Sequence, residues 1–418
     1  MFVYAATIFL SAFLLFQVQP MIAKFILPWF GGGAAVWSAS LLFFQLVLLA
    51  GYFYAHVVIK YVSAKKQVWV HIAALAISLA TLPIVPSAIW KPTGGDDPTG
   101  RILLLLGATV GLPYALLSST SPLLQAWYVR THKGAVPYRL FALSNFGSML
   151  ALLSYPALVE PKLGLHSQAV TWSVGYGLFA LVCSLAGWKS RDEEAPVAAG
   201  ESNEEVPPPP SLGTKLFWIG LAAVASTLLL SVTSHLTQNV APIPLLWIVP
   251  LSLYLLSFIL CFESDKIYDR RIFIPLFAVS IWLFSYGMHQ FENNSAIRPL
   301  VLSLCGGMFV CAMVCHGELA KRRPHPKHLT QFYLMVSVGG AVGGLFVAML
   351  APRIFNSYLE MPIAVFVCAA LAAWALWENA EILKSFYWLG TAIGIAAVWA
   401  IYIAAASGPA ALGRNIMD

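Results

Sequence analysis

Apolar positions in this chain run in long, nearly unbroken blocks, each separated from the next by a short polar or basic turn. A helix needs roughly 20 mostly apolar residues to cross a bilayer. Thirteen blocks satisfy that length, near residues 3–19, 36–58, 68–86, 102–128, 139–159, 166–187, 215–238, 245–262, 272–289, 299–316, 330–351, 361–378 and 385–406. The pattern predicts an all-α integral membrane protein of about 13 transmembrane helices, with almost nothing left over for a soluble domain.

Between the sixth and seventh blocks the pattern changes. "KSRDEEAPVAAGESNEEVPPPPSLG" is rich in Pro, Glu, Ala and Ser and lacks apolar periodicity, which predicts a disordered linker. The expected division is residues 1–188 as a first six-helix half, 189–213 as linker, 214–378 as a second six-helix half, and 379–418 as an extra helix and short tail. The halves echo each other in order. The second block opens on Trp37 and the eighth on Trp247, each ending before a basic loop; the fifth passes "SNFGS" to Pro156, and the eleventh passes "GGAVGG" to Pro352.

Composition agrees: 59% of residues are hydrophobic and 10% charged, against roughly 25% charged in soluble domains. Charge then sets orientation. Seventeen of the 24 Lys and Arg residues fall in one set of alternate loops and seven in the other. Cytoplasmic loops carry the basic excess, so the amino terminus is expected inside and the carboxyl terminus outside. The net charge of +6 is then a topology signal, and no nucleic-acid partner is needed to explain it. The first block lacks a basic leader and a clear cleavage site and is expected to be retained as a helix. The six cysteines all lie in or beside apolar runs, which reads as core packing rather than a disulfide framework.

Polar side chains inside such blocks are costly and default to function. The seventh block carries Thr227, Ser231, Ser234, His235 and Gln238 on one helical face, followed by Asn239. Gln17 lies on the first, Ser118, Ser121 and Gln125 on the fourth, and Asn145 on the fifth. These ten candidates, Thr227 apart, form the expected substrate-binding set; the bland alternative is hydrogen bonding between helices. His316 and Glu318 end the tenth block in "VCHGELAKRRPHP" and are expected as an inner gate, whereas His235, about 30 Å along its helix from the inner end near Lys215, is expected close to the outer face. "CAMVCH" does not match haem-attachment spacing and offers too few convergent ligands for a soft metal. No metal, cofactor or catalytic residue is expected.

Two six-helix halves joined by a linker resemble the layout of major facilitator carriers, in which parallel repeats hold a midplane site. In that layout the first, fourth, seventh and tenth helices line the cavity, and "DRR" (269–271) resembles the conformational latch of the second half. The first-half loop, "IKYVSAKKQ", lacks the glycine and aspartate of that motif. Longer stretches, including "FLSAFLLFQVQPMIAKFILPWFGGGAAVWSASLLFFQLVLLAGYFYAH", "SHLTQNVAPIPLLWIVPLSLYLLSFILCF" and "CHGELAKRRPHPKHLTQFYLMVSVGGAVGGLFVAMLAP", resemble the membrane portion of bacterial fused major facilitator/spermidine synthase proteins. That family often adds a soluble aminopropyltransferase-like domain. Here "FGGGAA" (30–35) has no neighbouring acid to hold a nucleoside, so the catalytic domain is expected to be missing and no enzyme activity is implied. The resemblance leaves a secondary transporter of an unknown small solute as the expected function. The alternative is a non-catalytic subunit or assembly factor of a larger membrane protein complex. Polyamine transport is disfavoured because a polycation wants buried carboxylates, and the acids lie at the mouths.

Overall fold

The computed structural model describes residues 2–31, 34–92, 99–132, 138–191, 208–239, 246–292, 297–355, 359–377 and 390. Among them every regular element is helical. In chain order these are α1 (Phe2–Phe30), α2 (Ala34–Tyr61), α3 (Ala64–Leu79), α4 (Thr99–Thr131), α5 (Tyr138–Val159), α6 (Leu165–Ser190), α7 (Leu212–Asn239), α8 (Ile248–Glu263), α9 (Arg270–Glu292), α10 (Ile297–Lys321), α11 (Pro326–Ile354) and α12 (Glu360–Trp377). Eight of these are long and apolar enough to cross a bilayer, and α8 and α12 are shorter apolar helices. The first twelve expected spans each fall on one described helix. The thirteenth, 385–406, apart from residue 390, and most of the linker lie outside the described residues, so the count of thirteen stands as an expectation.

Two boundaries differ from the reading of the pattern. The first span was expected to stop at 19, before Pro20, yet α1 continues through Pro20 to Phe30. A membrane helix tolerates proline because neighbouring helices and local adjustments satisfy the freed carbonyl. The third span was expected to reach 86, but α3 ends at Leu79, ahead of Pro83 and Pro86, whose fixed φ and missing N–H do not extend a helix. The apolar residues that follow extend the hydropathy block without extending the helix.

The chain forms two compact units, Met1–Lys215 with Arg323–Ser337, and Leu216–Arg322 with Val338–Asp418. The start of α11 belongs with the first unit. Within that unit α1 is central, packed on α2, α4, α5 and α6. Gly51 of α2 lets α4 come close: a Cβ there would lie 1.9 Å from Ser118 Oγ and 2.6 Å from the Ala115 carbonyl. Trp172 of α6 donates to the Leu14 carbonyl of α1 at 2.8 Å, and Tyr155 donates to Gln168 at 3.0 Å.

In the second unit α10 is central, packed on α8, α9 and α12. α7 and the later part of α11 approach at backbone distance. A Cβ on Gly339 would lie 2.4 Å from the Ile219 carbonyl, one on Gly343 2.5 Å from the Ala223 carbonyl, and Ser226 donates to the Gly340 carbonyl at 3.0 Å. Small residues at such crossings supply the packing that holds helices together where lipid removes the hydrophobic driving force. All six cysteines, Cys183, Cys261, Cys305, Cys311, Cys315 and Cys368, are buried free thiols. Cys315 and Cys368 bring α10 to α12 with their sulfurs 3.6 Å apart.

Candidate functional site

The expected polar residues of the first unit fall into separate groups. Ser121 and Gln125 are one turn apart on α4, and the Gln125 amide donates to Ser121 Oγ at 2.9 Å. The Gln125 carbonyl accepts from Tyr333 of α11 at 2.8 Å. Tyr333 in turn stacks on Phe141 of α5 with ring centroids 4.8 Å apart and lies 6.5 Å from the Tyr52 ring of α2. Gln125 and Tyr333 are buried, so this network joins four helices through one amide and one phenol. An amide offers two donors and two acceptor sites, and each bond just described uses one of them.

Gln17 is not part of this group. Its amide faces α5, donating to Ser154 Oγ at 3.3 Å. Ser118 turns back to its own helix, donating to the Ala115 carbonyl at 2.8 Å, and Asn145 donates to the Phe141 carbonyl at 2.9 Å. A second pair joins Gln19 of α1 to Tyr114 of α4 at 3.1 Å. Nothing in the sequence marks Tyr333, Tyr114 and Tyr52, because an aromatic within an apolar run carries no periodic signal of its hydroxyl's partner.

At one end of the first unit, Gln67 of α3 gathers three elements. Its carbonyl accepts from Trp127 at 3.0 Å and Arg130 at 2.9 Å, both on α4, while its amide donates to the Val62 carbonyl at 2.7 Å. At the other end Lys24 of α1 pairs with Glu160.

In the second unit the α7 stripe is largely buried. Ser231 and His235 are fully packed, Thr227 nearly so, and Ser234 is half-buried. Ser231 donates to the Thr227 carbonyl at 2.8 Å. The side chains of Gln238 and Asn239 lie outside the described set. His316 lies against α8: its Nδ1 is 2.7 Å from Ser257 Oγ, and its ring stacks on Phe258 at 3.6 Å between centroids. Glu318 is held by a bidentate pair with Arg270, Nε to Oε1 at 2.7 Å and Nη2 to Oε2 at 2.6 Å, and accepts from Tyr268 at 3.0 Å. Burial and the adjoining carboxylate hold the Tyr268 phenol well above its ordinary value, so it serves as a donor. The Tyr268 ring covers Gly317, where a Cβ would lie 2.2 Å from it. His316 and Glu318 thus point into different neighbours, α8 for the first and Tyr268 with the start of α9 for the second, and do not form one pair.

No protein-family model and no curated protein matches the chain. Solved structures do. The chain is similar to the major facilitator proton:xylose symporter XylE bound to 6-bromo-6-deoxy-D-glucose, with a TM-score of 0.56 at 12% identity, over 90% of this chain and 95% of that one. It is similar to the inward-open form of XylE from E. coli, also with a TM-score of 0.56, at 14% identity over 89% and 94% of the two chains. The fold is therefore that of the major facilitator transporters, an all-helical membrane architecture.

Proposed function

We propose that this protein is a secondary transporter that moves a small neutral or zwitterionic solute across the membrane by alternating access. The observation that carries the proposal is the likeness to solute:proton symporters over about nine-tenths of the chain. The character of the buried polar groups supports it. Gln125, Ser121, Tyr333, Gln19 and Tyr114 offer neutral donors and acceptors, suited to a solute that hydrogen-bonds without carrying full charge. In this reading the Gln125–Tyr333 bond is exchanged for solute contacts during the cycle, and the Arg270–Glu318–Tyr268 cluster fixes the latch loop to α10. The lysine- and arginine-rich loops face the cytoplasm of a bacterium. The wider resemblance to fused major facilitator/spermidine synthase proteins is retained as a proposal about ancestry, with no aminopropyltransferase activity attached.

The test is uptake into proteoliposomes with and without a proton gradient, beginning with pentoses and hexoses and widening to nucleosides and amino acids. Gradient-dependent accumulation that falls in Gln125→Ala supports the proposal. Absence of flux for every solute, together with purification from native membranes at fixed stoichiometry with another protein, would replace it by the reading as a subunit of a membrane complex.

A further inference from the structure

A groove of about 540 Å³ opens on the surface of the second unit between α7, α11 and α12. It is lined by Ala223 and Thr227 of α7, by Gly343, Phe346 and Met349 of α11 and by Val367 of α12. The groove has a structural cause. Gly339 and Gly343 pull α11 onto α7 at backbone distance. Directly afterwards α11 passes through a π-helical turn, Phe346–Leu350, a local insertion that re-aims side chains within a helix. The lining side chains Val342, Leu345, Met349 and Leu350 of α11 are exposed.

Two features identify an occupant. The first is length. The lining of α11 runs from Val342 to Arg353, about 16 Å at 1.5 Å per residue, which matches half of a hydrocarbon core about 30 Å thick. The second is charge. Arg353, the one ionisable side chain of the lining, stands at the end of α11. It is exposed and donates from Nη1 to the Met349 carbonyl at 2.8 Å, which anchors the guanidinium at the groove's mouth and leaves its other donors to bind an oxygen anion. Arginine matches phosphate geometry with two parallel hydrogen bonds.

We propose that this groove is a specific site for one anionic phospholipid, its acyl chain lying along α11 from Phe346 toward Thr227 and its phosphate paired with Arg353. The occupant is a structural lipid of the leaflet on the Arg353 side, and its site shares no residue with the polar network proposed to handle solute. A zwitterionic lipid fills the same groove but gains less from the guanidinium, since its own ammonium competes for the phosphate.

The test uses the full chain in nanodiscs of equimolar phosphatidylglycerol and phosphatidylcholine, transferred to mild detergent and analysed by native mass spectrometry for retained lipid. The intact protein is expected to retain phosphatidylglycerol in preference to phosphatidylcholine. Arg353→Gln, a change at an exposed position, is expected to reduce that preference roughly tenfold while leaving total lipid near its starting level. Val367→Trp, which fills the groove, is expected to displace both lipids, with gel filtration confirming a folded monodisperse particle. An unchanged headgroup preference in Arg353→Gln, or retention of the same lipid in folded Val367→Trp, overturns the proposal. So does an intact protein that retains no lipid at all, because the groove is then covered by another segment or another molecule.

Discussion

At the scale of single residues, burial and partnership decide which polar groups matter most. Arg270 and Glu318 form a buried, bidentate pair, and removing one member of such a pair strands the other. Glu318→Gln is expected to lower stability by about 3 kcal/mol, read as a fall in thermal midpoint of the detergent-purified protein. Arg270→Gln with Glu318→Gln together is expected to recover part of that loss, since no buried charge is then left alone. If the double variant is as unstable as the sum of the singles, the pair is not the source of the effect. In the first unit, Tyr333→Phe removes a donor from the buried Gln125 carbonyl, which costs about 1–3 kcal/mol when the acceptor cannot reach another partner. It is expected to slow uptake, with the loss greater in Gln125→Ala. Equal uptake in both variants and the parent would place the network in packing alone.

At the scale of helices, the "GGAVGG" stretch makes a sharper prediction than its composition suggests. Gly339 and Gly343 face α7 so closely that an added methyl would lie against its carbonyl oxygens, whereas a Cβ on Gly340 meets nothing within 4 Å. Gly339→Ala and Gly343→Ala are each expected to destabilise by about 1–3 kcal/mol, as overpacked positions do, and Gly340→Ala to be neutral or slightly stabilising through its better helix propensity. Thermal unfolding of the three variants separates these outcomes; equal effects would mean the contact face is misassigned. The same stretch illustrates what could be read beforehand. Glycines four apart are of the kind that let helix backbones approach, and hydropathy located the helices, because a bilayer imposes length and apolarity on every span. It did not reveal that Pro20 would be carried within α1, or that α3 would stop at Leu79, since those outcomes depend on neighbours. Likewise Gln125 was legible as a polar group in an apolar run, while its partner Tyr333, 208 residues away, was not: nothing local in "FYLM" distinguishes a hydrogen-bonded phenol from an ordinary aromatic. The "DRR" motif marked Arg270, but its acid lies on another helix.

At the scale of the whole molecule, charge and fold make a joint statement. The basic excess of alternate loops predicts that Lys65 and Lys266 lie on one side of the membrane and Lys91 on the other. Modification of intact spheroplasts with an impermeant amine reagent, read by peptide mass spectrometry, is expected to label Lys91 and spare the other two until the membrane is broken. Labelling of all three in sealed cells would overturn the orientation while leaving the helical architecture untouched.

The burial of every native thiol carries a practical consequence. A water-soluble maleimide should find almost nothing to react with in the folded protein, and six sites once it unfolds. Wild type is thus a naturally silent background into which a single reporter cysteine can be introduced without first deleting the others. Opening and closing in the proposed transport cycle can then be followed one position at a time, in a protein whose own packing is left as it was.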